Sequence, residues 1–356
     1  MTTKIGQDLI AWYKKNKRDL PWRNTNDPYL IWVSEIILQQ TRIDQGLSYY
    51  LRFVVRFPSI EDLANASENE VLKYWQGLGY YSRARNMHAS AKQISELYKG
   101  KFPDNYDQIK SLKGVGPYTA AAIASIAFNL PHAVIDGNVN RVISRLYGIE
   151  IAVNTNNGQK LVDEKLNTIF VRNDPANFNQ AIMELGAMIC KPSSPECNKC
   201  VLNVNCVAFQ QNRVNDFPVK IKLKSPELLY LFYFILKYQN NSQQFVYLNK
   251  RGENAIWKNL YDFPGLQFNS KKEMNEVVTE FKQKYFPNNF TQNPEKITGP
   301  IKHQLTHKSI LAFFIELKID KLSVNNFDDK LIAVTVEELQ KYPVSKLIEN
   351  YIKANL

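Results

Sequence analysis

The sequence predicts two domains of different class, an all-α domain followed by an α+β domain. The chain has 356 residues, enough for two domains that each bury a core of their own. Apolar residues recur at helical spacing from the start to about residue 130, and again at 159–170 and 177–189. Beyond Cys206 the pattern changes to short runs rich in aromatic and branched residues, which are typical of strands.

Capping residues mark where helices of the first domain begin. Asp27-Pro28 supplies an N-cap and a first-turn proline before the apolar helix 31–41. Ser67 and Glu70 form a capping box ahead of another helix. We assign residues 1–215 to this helical domain.

A basic, proline-containing connector at residues 216–226 leads into the second domain, residues 227–356. A turn is predicted at Asn240-Asn241, between two strands. The predicted strands lie at 228–237, 244–249 and 309–318, and the predicted helices at 271–285 and 344–354.

The net charge is +11, and both parts of the chain are basic, at +5 for residues 1–216 and +6 for residues 217–356. A basic balance suits a polyanionic partner such as nucleic acid, although it also serves solubility alone. No apolar run approaches the roughly 18 residues that cross a bilayer, and the N-terminus lacks the apolar core of a signal peptide. We expect a soluble intracellular protein.

All four cysteines fall within one segment, with the spacing Cys190-x6-Cys197-x2-Cys200-x5-Cys206. In an intracellular chain such a group is more often a metal site than a set of disulfides. A structural zinc site usually shows two C-x2-C pairs, whereas one close pair with asymmetric flanks is similar to cluster-binding loops. The spacing therefore favours an iron–sulfur cluster over a zinc ion.

A glycine turn precedes the alanine-rich helix 118–128. Gly114 and Gly116 let the backbone approach a ligand closely, and the N–H groups at the start of the next helix bind anions. A helix-hairpin-helix of this kind holds a DNA phosphate without reading sequence, although a plain turn between helices gives the same pattern. Asp136, which precedes Gly137, has the ordinary interpretation of an N-cap.

The helix 31–41 carries one carboxylate, Glu35, among large apolar residues. Its neighbours at helical spacing are Ile31, Trp32, Leu38 and Gln39. Desolvation makes a charged carboxylate costly in such surroundings, so the position requires a functional explanation.

Taken in order, these motifs resemble one family, the adenine DNA glycosylase (MutY) branch of the helix-hairpin-helix glycosylases, whose superfamily includes endonuclease III. The matching segments are LPWR at 20–23, SEIILQQT at 34–41, GLGYYSRARN at 77–86, GVGPYTA at 114–120, IDGNVNRV at 135–142, FNQAIMELGA at 178–187 and the cysteine loop. The implied fold is an all-α glycosylase domain with an iron–sulfur loop, followed by a Nudix-like α+β domain.

The resemblance implies removal of adenine mispaired with 8-oxoguanine or guanine, which initiates base excision repair. Glu35 is then the general acid that protonates the flipped adenine, because its apolar surround raises the carboxyl pKa. Positive charge develops on the sugar, and Asp136 matches the second carboxylate, as electrostatic partner or transient nucleophile. Tyr118 and Asn138 would support these groups by hydrogen bonds. The implied cofactor is a 4Fe-4S cluster on Cys190, Cys197, Cys200 and Cys206.

Tyr118 also separates the branches of the superfamily. In the endonuclease III type this hairpin position carries a lysine that forms a Schiff base and nicks the strand. Here it is tyrosine, and Lys113 is nearby but out of register. We expect base removal with little or no lyase activity.

Other matches concern the DNA. Gln40 and Tyr80 match intercalating residues that fill the gap left by a flipped base, although core packing is the alternative for Tyr80 and Tyr81. The matches to the adenine pocket are Arg23, Gln180 and Glu184. The implied partner is double-stranded DNA with A:8-oxoguanine or A:G mispairs, contacted also by the hairpin and bound by a monomer in the cytoplasm, at the nucleoid.

The second domain resembles the lesion-recognition domain of the family, with LYDFPG at 260–265 as the matching strand and turn. A pyrophosphatase of this fold needs the set G-x5-E-x7-REUxEE, but Lys271 stands at the first Glu position and 279–284 read TEFKQK. We therefore expect no pyrophosphatase activity. The expected lesion-reading loop is Leu305-Thr306-His307, where the family commonly has Phe-Ser-His.

Three rival functions fit part of this pattern. A non-catalytic DNA-binding protein could grip the backbone with hairpin and cluster, but it has no need of two acidic residues in a desolvated pocket. A glycosylase with lyase activity is disfavoured by Tyr118, and a pyrophosphatase by its missing carboxylates.

Overall fold

The computed structural model describes residues 2–222, 225–240, 242–286, 292–319 and 331–356. Its contacts group into two compact units. The helical unit comprises Met1–Asn65 and Asn86–Leu223, and the sheet unit comprises Ala66–Arg85 and Lys224–Leu356. The sheet unit is therefore discontinuous in sequence, because it includes a segment from the first quarter of the chain.

Helices joined by short turns form the helical unit, and α5 with the first turn of α6 belongs to the sheet unit. In chain order the helices are α1 (Thr2–Asn16), α2 (Pro28–Leu38), α3 (Ile43–Arg56), α4 (Ile60–Asn65), α5 (Glu68–Trp75), α6 (Ser82–Tyr98), α7 (Tyr106–Ser111), α8 (Pro117–Phe128), α9 (Gly137–Tyr147), α10 (Asn156–Ile169), α11 (Pro175–Met188) and α12 (Val207–Gln210).

Capping and burial explain the helix that carries Glu35. Asp27 is its N-cap, with Oδ1 accepting a hydrogen bond of 2.8 Å from Tyr29 N, and Pro28 begins α2. The buried residues of α2 are Tyr29, Ile31, Trp32, Val33, Ser34, Ile36 and Ile37. Most of the surface of α2 therefore consists of buried side chains, and Glu35 among them is only partly exposed.

The expected helix-hairpin-helix is formed by α7 and α8. Gly114 in the turn has φ +81°, and a Cβ there would lie 2.6 Å from Asn86 Cβ, so the turn requires glycine. Gly116 is the N-cap of α8 with an ordinary φ of −85°. A Cβ on Gly116 would meet nothing within 4 Å, which leaves the backbone before α8 open to a ligand.

A mixed sheet of seven strands is the centre of the sheet unit, as far as the described residues show. The strands are β1 (Glu227–Asn240), β2 (Gln243–Lys250), β3 (Tyr261–Asp262), β4 (Gly265–Phe268), β5 (Lys296–Gln304), β6 (Lys308–Lys318) and β7 (Leu331–Thr335), with helices α13 (Met274–Tyr285) and α14 (Lys346–Asn355). The main order is β3-β2-β1-β6-β5, while β4 pairs with β1 and β7 with β2. β1 and β6 are parallel, with Leu229 opposite Ile310, and the other pairs are antiparallel.

The two helices cover opposite faces of this sheet. Phe281 of α13 stacks on Phe234 with 3.6 Å between ring centroids, and Tyr351 of α14 stacks on Phe314 at 4.0 Å. The residues of β1 alternate between the two resulting cores. This alternation explains why β1 is apolar on both faces. It also explains why the strand was predictable from the sequence, as the apolar run at 228–237.

The predicted elements of the second domain are confirmed as β1, β2, β6, α13 and α14, with ends shifted by a few residues. The predicted turn at Asn240-Asn241 includes residue 241, which lies outside the described residues. The strand expected within residues 260–265 is present as β3. The strands β4, β5 and β7 were not predicted, because β4 has only 4 residues and β5 is largely exposed. No helix in the described part of the chain combines the length and apolar character that crossing a membrane requires.

Candidate active site

A cavity of about 910 Å³ opens in the helical unit. Its size is typical of a pocket that receives a small molecule or an extruded group, roughly 300–1,000 Å³. The predicted site residues in its walls are Arg23, Glu35, Gln40, Gly114, Gly116, Tyr118, Asp136, Asn138, Gln180 and Glu184. The fold thus brings together side chains from α2, the hairpin, the start of α9 and α11.

Glu35 faces the cavity from the middle of α2. Burial raises the pKa of its carboxyl to about 7, and the negative charge of Asp136 acts in the same direction. A hydrogen bond from Tyr118 and the positive charge of Arg23 oppose this rise. A carboxyl with this pKa keeps its proton in about half of the molecules at neutral pH, so Glu35 can act as an acid there.

Tyr118, near the start of α8, interacts with both carboxyls of the cavity. Burial and the charges of Glu35 and Asp136 raise the pKa of Tyr118 well above its usual value, so its hydroxyl stays protonated and can donate. The hydroxyl also lies 3.4 Å from Met183 Sδ. Lys113 is exposed on the turn, and no lysine is among the described residues that line the cavity.

Asp136 is both the N-cap of α9 and part of the cavity wall. Its Oδ1 accepts a hydrogen bond of 2.7 Å from Val139 N, which confirms the N-cap interpretation. Its Oδ2 accepts a hydrogen bond of 2.8 Å from Asn138 Nδ2. Burial raises the pKa of Asp136, and the hydrogen bonds from Val139 and Asn138 limit the rise.

Two arginines and a glutamate form the most highly charged wall. Arg23 donates from both terminal nitrogens to the two oxygens of Glu184, at 2.7 and 2.6 Å. Arg18 forms a second fork, from Nε at 2.9 Å and Nη2 at 2.6 Å. Burial opposes ionisation of Glu184, but the hydrogen bonds from Arg23 and Arg18 outweigh it and hold the Glu184 pKa at about 2. Since its oxygens are occupied, Glu184 positions the arginines in this structure.

Gln40 and Tyr80 share an uncommon backbone conformation. Their φ angles are +58° and +47°, in the left-handed region that residues with bulky side chains rarely adopt. Tyr80 is 48% exposed, whereas Tyr81 is 4% exposed and donates a hydrogen bond of 3.1 Å to Val344 O. Core packing therefore describes Tyr81 and not Tyr80.

Tyr80 belongs to the sheet unit and contacts the predicted lesion-reading loop. Its hydroxyl lies 3.0 Å from the hydroxyl of Thr306. Thr306 and His307 are exposed in the turn between β5 and β6, which Leu305 N closes with a hydrogen bond of 2.8 Å to Lys308 O. Leu305 is partly buried, and its side chain packs against the core of the sheet unit.

The four cysteines follow α11, and each is partly buried with a free thiol. Burial raises the pKa of Cys200 to about 12, and charges on the other three cysteines act in the same direction. Among the described residues no three His, Cys, Asp or Glu side chains converge as ligands of a single metal ion. Four thiols on one loop are the donor set that an iron–sulfur cluster takes, so the residues present fit that group.

Arg141 and Arg145 connect the start of α9 with the cysteine loop. Arg141 donates from Nη2 to Asn138 Oδ1 at 2.9 Å and from Nε to Cys190 O at 2.6 Å. Arg145 is 2% exposed and donates to Cys190 Sγ at 3.3 Å. Two buried guanidinium groups thus lie against the start of the cysteine loop, and one of them contacts the Cys190 sulfur.

Sequence reasoning did not identify Arg18, Arg141 or Arg145. A signal existed for two of them, because Asn138, Arg141 and Arg145 are three and four residues apart and therefore share one face of α9. Arg18 lies in the irregular segment between α1 and α2, where no periodicity predicts its direction.

Comparison with known proteins supports this description. Residues 33–170 match the HhH-GPD superfamily of base excision DNA repair proteins, and residues 233–354 match a NUDIX domain. A protein named adenine DNA glycosylase from Buchnera aphidicola subsp. Baizongia pistaciae is 35% identical over 363 residues, which cover 100% of this chain and 99% of that protein.

Solved structures agree on the helical part. The structure of a thermostable thymine-DNA glycosylase aligns with a TM-score of 0.53 at 29% identity, over 58% of this chain and 96% of that chain. The structure of an endonuclease III–DNA complex shares the fold, with a TM-score of 0.51 at 21% identity over 60% of this chain and 98% of that chain. Since the full-length relative matches both parts in order, the chain belongs to the adenine DNA glycosylase (MutY) family of helix-hairpin-helix DNA glycosylases.

Proposed function

We propose that the protein is a DNA glycosylase that hydrolyses adenine from duplex DNA where the base is mispaired with 8-oxoguanine or guanine. The observation that carries this proposal is the pair of carboxyls, Glu35 and Asp136, which share one cavity and both have raised pKa values. The full-length relatives are named adenine DNA glycosylase, which supports adenine as the base.

The two carboxyls differ in the hydrogen bonds that oppose the effect of burial, and this difference assigns their roles. Glu35, with a pKa of about 7, donates its proton to a ring nitrogen of the flipped adenine, which then leaves as a neutral base. The sugar carbon acquires positive charge as the glycosidic bond breaks. Asp136 remains ionised with help from Asn138 and Val139, and it stabilises that charge or bonds to it transiently until water adds.

The charged wall of the cavity supplies the base pocket. Arg23 and Gln180 present hydrogen-bonding groups to the adenine, while Glu184 holds Arg23 and Arg18 in place. A cavity of about 910 Å³ has room for the base together with its sugar.

We propose that the enzyme has little or no lyase activity. A lyase needs an amine nucleophile at the sugar carbon. The hairpin position is Tyr118, and Lys113 is absent from the described lining of the cavity.

The remaining predicted residues contact DNA. The hairpin with Gly114 and Gly116 holds the backbone, and Gln40 and Tyr80 enter the base stack. Residues 227–356 read the lesion through Thr306 and His307, after a linker at 216–226 and a glycosylase domain at 1–215. The hydrogen bond between Tyr80 and Thr306 supports this assignment, because it joins the residue that enters the base stack to the loop that reads the lesion. The protein acts as a monomer in the cytoplasm, at the nucleoid.

Cys190, Cys197, Cys200 and Cys206 would hold a 4Fe-4S cluster, which fixes the loop by metal–thiolate bonds. The buried guanidinium groups of Arg141 and Arg145 support this assignment. Purified protein should be yellow-brown and contain about four irons per chain, as that cluster requires. One zinc and no iron per chain would replace the cluster with a zinc site.

Three duplexes test the activity, carrying adenine opposite 8-oxoguanine, adenine opposite guanine, or thymine glycol. We expect release of free adenine from the first two, and strand breaks only after alkali treatment. Binding without base release would favour the non-catalytic DNA-binding protein. Strand cleavage without alkali would show the lyase step, and preference for thymine glycol would show a different substrate.

A further inference from the structure

Gln180 lies in the cavity wall, and its amide has one partner on each side. Its Oε1 accepts a hydrogen bond of 3.0 Å from the hydroxyl of Tyr13. Its Nε2 donates to Ala176 O in a long contact of 3.4 Å. No described residue accepts from the second N–H of this amide, and Gln180 lines the cavity.

Tyr13 itself does not line the cavity but belongs to the core behind it. The residue is 1% exposed and packs in the core of the helical unit. The guanidinium of Arg23 lies 5.5 Å from the centre of the Tyr13 ring. Tyr13 therefore touches two residues of the base pocket while having no direct access to a bound base.

The contacts of Tyr13 and Ala176 together select one orientation of the Gln180 amide. A backbone carbonyl can only accept, so Ala176 O keeps the NH₂ group on its side. The hydroxyl of Tyr13 can donate, and it holds the amide oxygen on the other side. A flipped amide would set its oxygen against Ala176 O and would present an acceptor to the cavity instead of a donor.

We propose that Tyr13 is a positioning residue that makes Gln180 a hydrogen-bond donor toward the base. This inference rests on the proposed function, and it adds a cause for base selectivity. The edge of the base furthest from the sugar reaches the inner wall, because the glycosidic bond must stay beside Glu35 and Asp136. Adenine offers an acceptor on that edge at N1, whereas hypoxanthine has N–H there. Hypoxanthine does carry an acceptor on the same edge, at O6, but this atom is displaced from the N1 position. A donor of Gln180 held against the N1 position therefore accepts adenine and disfavours hypoxanthine.

The test compares single-turnover rates for release of adenine and of hypoxanthine from otherwise identical duplexes. Adenine release by the wild-type protein is measured first, so that a failure of the proposed function is recognised before any variant is compared. Tyr13→Phe keeps the ring and its contact with Arg23 but removes the hydroxyl. We expect the adenine-to-hypoxanthine rate ratio to fall about fivefold, which corresponds to one neutral hydrogen bond.

Two comparisons separate positioning from a general loss of stability. Tyr29→Phe removes another buried hydroxyl, which donates a hydrogen bond of 2.6 Å to Phe57 O, and it should lower the melting temperature while leaving the ratio unchanged. In a Gln180→Met background, Tyr13→Phe should have no further effect on the ratio, because the amide that Tyr13 positions is absent. An unchanged ratio in Tyr13→Phe, or an equal fall with and without the Gln180 amide, would overturn the proposal.

Discussion

The side-chain amide of Asn138 donates a hydrogen bond of 2.8 Å to Asp136 Oδ2, at the first turn of α9. This bond favours the ionised form of Asp136, while burial favours the protonated form. In the proposed reaction the ionised form faces the positive sugar. The contact therefore sets how far the pH can fall before the enzyme loses its second carboxylate.

Replacement of Asn138 by leucine should move the acidic limb of the pH profile upward. A hydrogen bond to a charged group contributes about 1.5–3 kcal/mol, equivalent to about one to two pH units. Single-turnover rates between about pH 5 and 9 measure the shift. Asn140→Leu, on the same helix but not in the described lining of the cavity, is the control. An identical shift in both variants would mean that helix stability, and not Asp136, causes it.

Glu35 should control the alkaline limb. The acid is protonated below its pKa of about 7, so the rate should fall as the pH rises through that value. Glu35→Gln keeps the size of the side chain but removes the proton, and general acid catalysis is typically worth ~10²–10⁴-fold. Glu164→Gln, at an exposed position of α10, should change neither the rate nor the profile. Adenine release by Glu35→Gln within a few-fold of wild type would refute the assignment.

Glu35→Gln should also stabilise the folded state in alkaline solution. The Glu35 pKa rises from 4.5 to about 7 on folding, so the folded state binds the proton more tightly than the unfolded chain. Its contribution to stability is complete below about pH 4.5 and is lost as the pH rises through 7. We expect the melting temperature of Glu35→Gln to exceed that of wild type above pH 7, and the difference to disappear in acid. A constant difference across this range would contradict the raised pKa.

Thr306 should contribute to the preference for 8-oxoguanine over guanine opposite adenine. Thr306→Val keeps the shape but removes the hydroxyl that contacts Tyr80 at 3.0 Å. A hydrogen-bonded base contact is worth roughly 1–3 kcal/mol of discrimination, so the ratio of rates on the two mispairs should fall about fivefold or more. Thr279→Val, exposed on α13, is the matched control. Equal losses on both mispairs would mean that the loop adds affinity without reading the lesion.

Periodicity and capping predicted most of the fold because they are local. Asp27, Ser67 and Asp136 each cap a helix in the structure, as the sequence indicated. The long apolar strand β1 was visible because both of its faces are buried. Short or exposed strands such as β4 and β5 depend on their partners and leave little local pattern.

The site was predictable only in part, because its geometry comes from distant segments. The raised pKa of Glu35 followed from its own helix, and the structure supports that expectation. The double fork of Arg18 and Arg23 on Glu184 joins residues more than 160 positions apart, so no local pattern could show it. The contact between Arg145 and Cys190 likewise joins residues that are distant in the sequence.

The discontinuity of the sheet unit has a consequence for how this chain can diverge. Residues 66–85 fold with the C-terminal part, where Tyr81 donates to Val344 O and Arg85 to Lys258 O. A recombination event that replaces only the residues after the connector would therefore transfer an incomplete sheet unit, because residues 66–85 would be left behind. Because these two acceptors are main-chain carbonyls, it is changes that move the backbone at Val344 or Lys258 that must be matched by compatible changes in a segment encoded far upstream. The two stretches are therefore constrained to evolve together.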